Sequence, residues 1–152
     1  IGHTRTLHSE QIELPLLVRL PGALRGGTRL TGSMSQTHLF ASILDLAELS
    51  VPPFCAPSMA DWLLGNESAD PNQTLFFEVD FMPIKPDPDR RIQKRGLLKS
   101  GRYKFILDRK TGTEFLFDLQ VDPGERNNRA ADPSLAPLLL DLRAELNGNI
   151  WY

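Results

Sequence analysis

Three histidines and one cysteine are the side chains of this sequence that could take part in proton transfer, nucleophilic attack or metal binding near neutral pH. His3 follows a glycine, and its imidazole could donate a proton or a hydrogen bond to an anion. His3, His8 and His38 have no cysteine or carboxylate at the spacing of a zinc site. Because Cys55 is the only cysteine, an intrachain disulfide is excluded. Residue types alone leave His3 open between an acid–base group and a surface histidine.

A cationic segment lies in the second half of the chain. Residues 85–104 contain eight basic side chains against two aspartates, whereas the remainder of the chain is acidic. The basic members are Lys85, Arg90, Arg91, Lys94, Arg95, Lys99, Arg102 and Lys104. Such a segment could steer a polyanion by its field, or it could be a solvated strand and loop face.

The composition is that of one globular domain. The chain has 152 residues, 41% of them hydrophobic, with a formal net charge of -2. The slightly acidic balance argues against a dedicated nucleic-acid binder. The apolar stretches fall short of the ~20 residues that a membrane helix needs, so we expect no membrane span. The chain opens at Ile1 rather than methionine, and we expect a piece of a longer protein.

The first half alternates one apolar strand with one amphipathic helix. Residues 14–20 are almost continuously apolar, which is typical of a strand buried on both faces of a parallel sheet. From Gln36 to Ala47, apolar residues at spacings of three and four predict a helix. Residues 50–73 are rich in proline and glycine, and we place a domain boundary there.

The second half predicts an antiparallel meander closed by a helix. Residues 74–79, 95–107 and 114–119 are rich in aromatic and β-branched side chains, and Ser100-Gly101 predicts a tight hairpin in the second of these. Residues 122–125 read as a type II turn with the positive φ at Gly124. Asp132 is then a predicted N-cap, and the leucines that follow it should pack on the sheet.

Several segments resemble the sulfatase family in the family's own order. Residues 2–22 are similar to the family's GHGRTLYEEQIRVPLLIRLPG, with Thr4 in place of the second glycine. Residues 35–49 are similar to its VSLVDLLPTLLDLAGL helix, residues 101–106 to GRYKLI, and residues 115–128 to ELYDLxxDPGERxNL. The resemblance covers nearly the whole chain and identifies it as the C-terminal portion of a sulfatase.

The resemblance implies a mixed α/β and α+β fragment. Residues 1–65 would be the last strand and helix of an alkaline-phosphatase-like α/β domain. Residues 66–152 would form a small antiparallel β-sheet packed by a C-terminal helix. The intact protein would be a sulfuric ester hydrolase, and the fragment alone would be inactive. Its partners would be the N-terminal remainder of the same catalytic domain and a sulfated small molecule or sulfated glycan, with neither nucleic acid nor a membrane.

The resemblance also assigns roles to residues. His3 matches the family's histidine in G-H-G, which implies a catalytic role at the sulfate ester. A loop after the strand at residues 74–80 can approach the active-site mouth in this family, which makes Arg90 and Arg91 candidate substrate-binding residues. A formylglycine and a divalent cation, Ca²⁺ or Mg²⁺, are implied in the upstream part, and no metal ligand is assigned to this chain.

Cys55 is not expected to become that formylglycine. The family's motif is C-x-P-x-R or S-x-P-x-R, and here the fifth position is Met59. A phosphodiesterase, phosphonate hydrolase or phosphoglycerol transferase of the same superfamily is the alternative within the resemblance, since the nucleophile that separates these enzymes lies upstream. A non-catalytic binding module that uses the cationic segment is the alternative from another class.

Overall fold

The computed structural model describes residues 5–24, 26–81 and 91–148. They form two compact units, one from Ile1–Leu14 with Thr74–Tyr152 and the other from Pro15–Gln73. We call the first the sheet unit and the second the helical unit. The boundary predicted between residues 65 and 66 stays a prediction. Among the described residues, no helix has the length and apolar character that crossing a membrane requires.

The sheet unit is built on a four-stranded antiparallel meander. The strands are β1 (Thr74–Phe81), β2 (Ile92–Lys99), β3 (Tyr103–Asp108) and β4 (Glu114–Asp118), and they lie side by side in chain order. A short helix, α1 (Ser9–Ile12), precedes the sheet, and a 3-10 turn and a longer helix, α4 (Ala136–Gly148), follow it. The predicted meander with its closing helix is confirmed.

The two faces of the sheet bury different parts of the chain. On one face, Leu97, Phe105 and Leu116 pack with leucines of α4, namely Leu139, Leu142 and Leu146. On the opposite face, Ile106 and Phe117 pack with Leu7. We call residues 5–14 the N-terminal segment. Because successive side chains of a strand alternate between faces, Phe105 and Ile106 serve the two cores separately. The N-terminal segment is therefore a covering layer of the sheet.

Local sequence signals explain the hairpin and the start of the final helix. Ser100 and Gly101 join β2 to β3 with φ values of 54° and 62°, the pair of positive values that a tight hairpin turn of matching twist requires. The Asp132 side chain accepts a hydrogen bond from the backbone N–H of Ser134, as an N-cap does. Both features agree with the prediction.

The turn after β4 differs from the prediction. The backbone N–H of Glu125 donates to the Asp122 carbonyl at 3.1 Å, so a turn does form. The positive φ, however, belongs to Glu125 at 50° and not to Gly124. A positive φ at a non-glycine residue costs about 1–3 kcal/mol, and this conformation persists only where the surrounding structure holds it. The contacts of the Glu125 carboxylate, described below, are what hold it.

The helical unit contains α2 (Thr37–Leu46) and α3 (Ala60–Leu64). The Ser42 hydroxyl of α2 accepts a hydrogen bond from the backbone N–H of Met59 at 2.9 Å and so ties α2 to the start of α3. The helix predicted from Gln36 is confirmed, and it ends before Val51 as expected.

The strand predicted at residues 14–20 does not form within the described part of the chain. These residues have no regular secondary structure, and the Leu17 side chain is almost fully exposed at 91%. A strand of this composition is stable only between neighbouring strands that satisfy its backbone and cover both its faces. None of β1 to β4 pairs with it. The apolar run is therefore irregular and largely exposed in the described structure.

Candidate functional site

Four side chains meet in a buried polar cluster on the face of the sheet that the N-terminal segment covers. The Lys104 ammonium donates to Glu125 Oε1 at 2.7 Å and lies 3.2 Å from the Ser9 hydroxyl. The Ser9 hydroxyl donates a short hydrogen bond to the same oxygen, and the Ser9 backbone N–H donates to it at 3.1 Å. His8 Nδ1 lies 2.5 Å from Glu125 Oε2. We call His8, Ser9, Lys104 and Glu125 the Lys104 cluster.

Three separate parts of the chain bring the cluster together. Lys104 lies in β3 opposite Phe117 of β4, and the alternation of the strand points it to the face that carries Ile106. Glu125 comes from the turn after β4, where its left-handed backbone presents the carboxylate to the sheet. His8 and Ser9 are at the start of α1, directly after the buried Leu7. The cluster thus joins the N-terminal segment to the sheet.

The ion pair at the centre of the cluster is almost completely removed from solvent. The side chains of Lys104 and Glu125 are 1% and 2% exposed. Burial lowers the pKa of Lys104, and the hydrogen bond to Glu125 offsets only part of that effect. Burial by itself would raise the pKa of Glu125, but hydrogen bonds from Lys104, Ser9 and His8 outweigh it and hold the pKa below its usual value. Glu125 is therefore a carboxylate at neutral pH.

The hydrogen bonds of the Lys104 cluster join the start of α1 to the turn after β4. An ionised carboxylate only accepts hydrogen bonds, so the proton between His8 and Glu125 resides on Nδ1. Both carboxylate oxygens are then occupied by donors from this chain. The Phe77 ring lies 5.6 Å from the Lys104 ammonium, and the His8 ring lies 5.5 Å from the Phe117 ring. Aromatic rings thus accompany the buried charge on this face.

The predicted site residues are only partly within the structure. His3 and Arg90 lie outside the described residues. Arg91 is described, and its Nε and Nη2 donate to the two carboxylate oxygens of Asp80 at 2.9 and 2.5 Å. This hydrogen-bonded pairing lowers the pKa of Asp80 and raises that of Arg91. Two of the five N–H donors of Arg91 are thereby engaged at the end of β1.

The cationic segment is a set of ion pairs wherever it is described. Each basic side chain from residue 91 to 104 lies within 4.0 Å of a carboxylate. The pairs are Arg91–Asp80, Lys94–Asp108, Arg95–Glu78, Lys99–Glu145, Arg102–Asp118 and Lys104–Glu125. The positive charge that the sequence concentrates here is thus compensated by acidic residues from other segments, which weakens the case for a binding module based on this face.

The remaining chemical candidates have structural contacts. His38 Nδ1 lies 2.8 Å from the Pro57 carbonyl oxygen, a hydrogen bond between α2 and the loop before α3. Cys55 is a free thiol, and its backbone N–H donates to the Pro52 carbonyl in a turn. In the ranges that the structure describes, no group of three or more His, Cys, Asp or Glu side chains could hold a metal ion.

Sequence reasoning missed the Lys104 cluster. It counted Lys104 among the solvent-facing charges of the cationic segment, whereas the structure buries it. One signal was available in the sequence. Tyr103 and Phe105 share one face of the strand, and Ile106 shares the other face with Lys104, so neither face of the strand is polar. Its partner Glu125 could not be chosen from the sequence, which offers many acidic residues at comparable distances.

Comparison with known proteins agrees with this architecture. The family model described as N-sulphoglucosamine sulphohydrolase, C-terminal, matches residues 3–150. Arylsulfatase K of Mus musculus is 24% identical over 129 residues, covering 84% of this chain and 23% of that protein. The Delta 4,5-hexuronate-2-O-sulfatase of Bacteroides thetaiotaomicron is 26% identical over 150 residues, covering 95% of this chain and 30% of that protein.

A solved structure shares the fold. The structure of a 2-O GAG sulfatase superimposes with a TM-score of 0.61 at 29% identity, over 72% of this chain and 23% of that one. The chain spans between 23% and 30% of the length of the curated relatives it matches. The family model matches almost all of the sequence. The chain therefore belongs to the family described as N-sulphoglucosamine sulphohydrolase, C-terminal, and corresponds to the C-terminal portion of a sulfatase-family protein.

Proposed function

We propose that the intact protein containing this chain hydrolyses sulfate monoesters and that its substrate is a sulfated sugar or sulfated glycan. The observation that carries the proposal is the family match across residues 3–150, because it includes the motif with His3 as well as the sheet unit. The sulfated hexuronate named for the relative from Bacteroides thetaiotaomicron supports the sugar class.

Within this reaction, His3 is the proposed acid–base residue of the chain. Cleavage of the S–O bond leaves negative charge on the departing alcohol oxygen, which must gain a proton. An imidazole titrates near neutral pH and can supply that proton or hydrogen-bond a sulfate oxygen. A positioned general acid contributes typically 10²- to 10⁴-fold to the rate, so His3 should matter most for alcohols that leave poorly.

The cation and the formylglycine are proposed to belong to other residues of the intact protein. The described side chains do not fit a divalent cation site, because no group of three His, Cys, Asp or Glu side chains among them could hold a metal ion. Cys55 does not fit the formylglycine motif, because Met59 stands where that motif has arginine. In the family, these groups would provide the nucleophile and positive charge at the sulfate.

The remainder of the catalytic domain is the proposed partner of the apolar run at residues 14–20. Leu16, Leu17 and Val18 are 47%, 91% and 41% exposed, an apolar surface that a soluble domain covers. Strands supplied by the rest of the protein would satisfy this segment on both sides, in agreement with its sequence pattern.

Arg90 and Arg91 are proposed to contact or steer the sulfated substrate. In the sequence they directly precede Ile92, where β2 begins, and the Arg91 guanidinium has N–H donors beyond the two that bind Asp80. Replacing both with serine should flatten the salt dependence of kcat/KM on a sulfated polysaccharide, because attraction between opposite charges is screened by salt.

The proposal is tested with His3→Ala in the full-length protein. Turnover of an alkyl or sugar sulfate should fall by about 10²- to 10⁴-fold, while an aryl sulfate with an acidic phenol should lose far less, since a good leaving group needs no proton. His38→Ala is the matched control, because His38 only hydrogen-bonds a loop carbonyl. Thermal unfolding should be the same for His3→Ala and the parent.

Three results would count against the proposal. Near-normal turnover by His3→Ala would reject the acid–base role. An equal loss on both leaving groups would show that His3 does not protonate the leaving oxygen. Preference of the parent enzyme for a phosphodiester or phosphonate over sulfate esters would favour the phosphoryl-transfer alternative.

A further inference from the structure

The N-terminal segment is fixed to the sheet just after the proposed catalytic histidine. Leu7 is 3% exposed and packs with Ile106 and Phe117. The next two residues, His8 and Ser9, hydrogen-bond Glu125. Only three residues separate His3 from Leu7 along the chain.

The composition of this attachment points to a role in geometry. An ion pair buried like Lys104–Glu125 contributes little net stability compared with apolar residues of the same shape, because both charges lose their hydration. Hydrogen bonds do, however, define direction and distance, which apolar contacts do not. Glu125 also keeps an unfavourable left-handed backbone in order to present its carboxylate to His8 and Ser9.

We propose that the Lys104 cluster positions His3: Lys104 orients Glu125, and Glu125 holds His8 and Ser9 so that the preceding segment carries the imidazole to the reacting ester. His8, Ser9, Lys104 and Glu125 are thus positioning residues, and none of them is proposed to touch the substrate. The inference rests on the catalytic role of His3 proposed above. Misplacement of a reacting group by about 1 Å can cost 10²-fold in rate, so even a small shift of this segment should be measurable.

The test uses His8, whose side chain is 30% exposed, because it is not a member of the buried Lys104–Glu125 ion pair. His8→Ala removes the donor to Glu125. His8→Asn restores one, because its side-chain amide nitrogen is as many bonds from Cβ as Nδ1 is. In the full-length protein, we expect His8→Ala to lower kcat on an alkyl sulfate by about tenfold or more with KM within threefold, and His8→Asn to recover most of the loss.

A double-variant cycle separates this inference from the proposed function. If the cluster acts through His3, His8→Ala should cause no further loss of kcat in a His3→Ala background, because the positioned group is already gone. A severe effect of His3→Ala, together with normal kcat for His8→Ala or with multiplicative losses in the double variant, would overturn the positioning role and leave the proposed function standing. Normal turnover by His3→Ala would overturn the proposed function itself, and the positioning role with it.

A purely structural role for His8 would give a different pattern. It would lower the amount of folded enzyme, so that alkyl and aryl sulfates lose the same fraction of activity. Positioning of a general acid should instead give a larger loss for the alkyl sulfate than for the aryl sulfate, as His3→Ala does. Equal losses on the two substrates would therefore overturn the inference.

Discussion

Replacing Lys104 with methionine should destabilise the sheet unit far more than replacing both members of its ion pair. Lys104→Met leaves the carboxylate of Glu125 in a site where its side chain is 2% exposed, without its cationic partner. Removing one partner of a buried pair costs about 3–5 kcal/mol, because the remaining charge stays dehydrated. In Lys104→Met/Glu125→Gln no charge remains buried, and we expect that variant to lie within about 2 kcal/mol of the parent.

Hydrogen exchange in the intact protein measures this difference locally. Amides of β3 are covered on both faces, so their exchange reports the opening of the sheet unit. Since 1.4 kcal/mol corresponds to tenfold in an equilibrium constant, Lys104→Met should accelerate the exchange of these amides by roughly 10²- to 10³·⁵-fold. The double variant should stay within about 30-fold of the parent. Amides of α2, in the helical unit, serve as the internal reference.

The pH dependence of the defect gives an independent check. In the parent, the pKa of Glu125 is below its ordinary value of 4.5, so its contribution to stability is present above pH 4.5 and is lost as the pH falls through the native pKa. In Lys104→Met, burial still raises the pKa of Glu125 but the lysine no longer lowers it. Protonation then relieves the buried charge, and the deficit relative to the parent should be smaller at pH 5 than at pH 7. An unchanged exchange rate in Lys104→Met, or an equal deficit in the double variant, would refute this reasoning.

Two further substitutions test the packing of the sheet unit, each read as the change in free energy of unfolding relative to its control. Gly96→Ala should destabilise the unit by about 1–3 kcal/mol, because its Cβ would meet the Phe77 ring and lie 2.7 Å from the neighbouring strand's backbone, whereas Gly148→Ala has open space and should be near neutral. Leu142→Ala should cost about 2–5 kcal/mol, because Leu142 is 1% exposed, whereas Leu140→Ala on the exposed side of α4 should cost far less.

The sequence was sufficient to predict the antiparallel meander and its closing helix, because their signals are local. Alternation and β-branched content define the strands, two turn residues define the hairpin, and Asp132 defines the start of the last helix. Each of these signals acts within a few residues, so it operates whatever the rest of the protein does.

The Lys104 cluster and the turn at Glu125 were not predictable in this way. Ser9 and Glu125 are 116 residues apart in the chain, and Lys104 and Glu125 are 21 apart. A local reading assigns the positive φ to glycine, as it would in a free turn. In this structure the positive φ belongs to Glu125, whose carboxylate makes the tertiary contacts of the Lys104 cluster. The strand at residues 14–20 failed for a related reason, since its formation depends on neighbours that the described residues do not include.

The sheet unit and the apolar run differ in what covers their apolar side chains, and the boundary between them is at residue 14. The sheet unit has its own two cores, and its N-terminal segment is fixed by Leu7 and the Lys104 cluster. The apolar run that follows is exposed, and strands from the rest of the protein are its proposed partners. Hydrogen bonds to a buried carboxylate define the direction of the N-terminal segment on the sheet, whereas apolar contacts alone would allow it to slide. The buried ion pair is thus best explained by the connection it fixes.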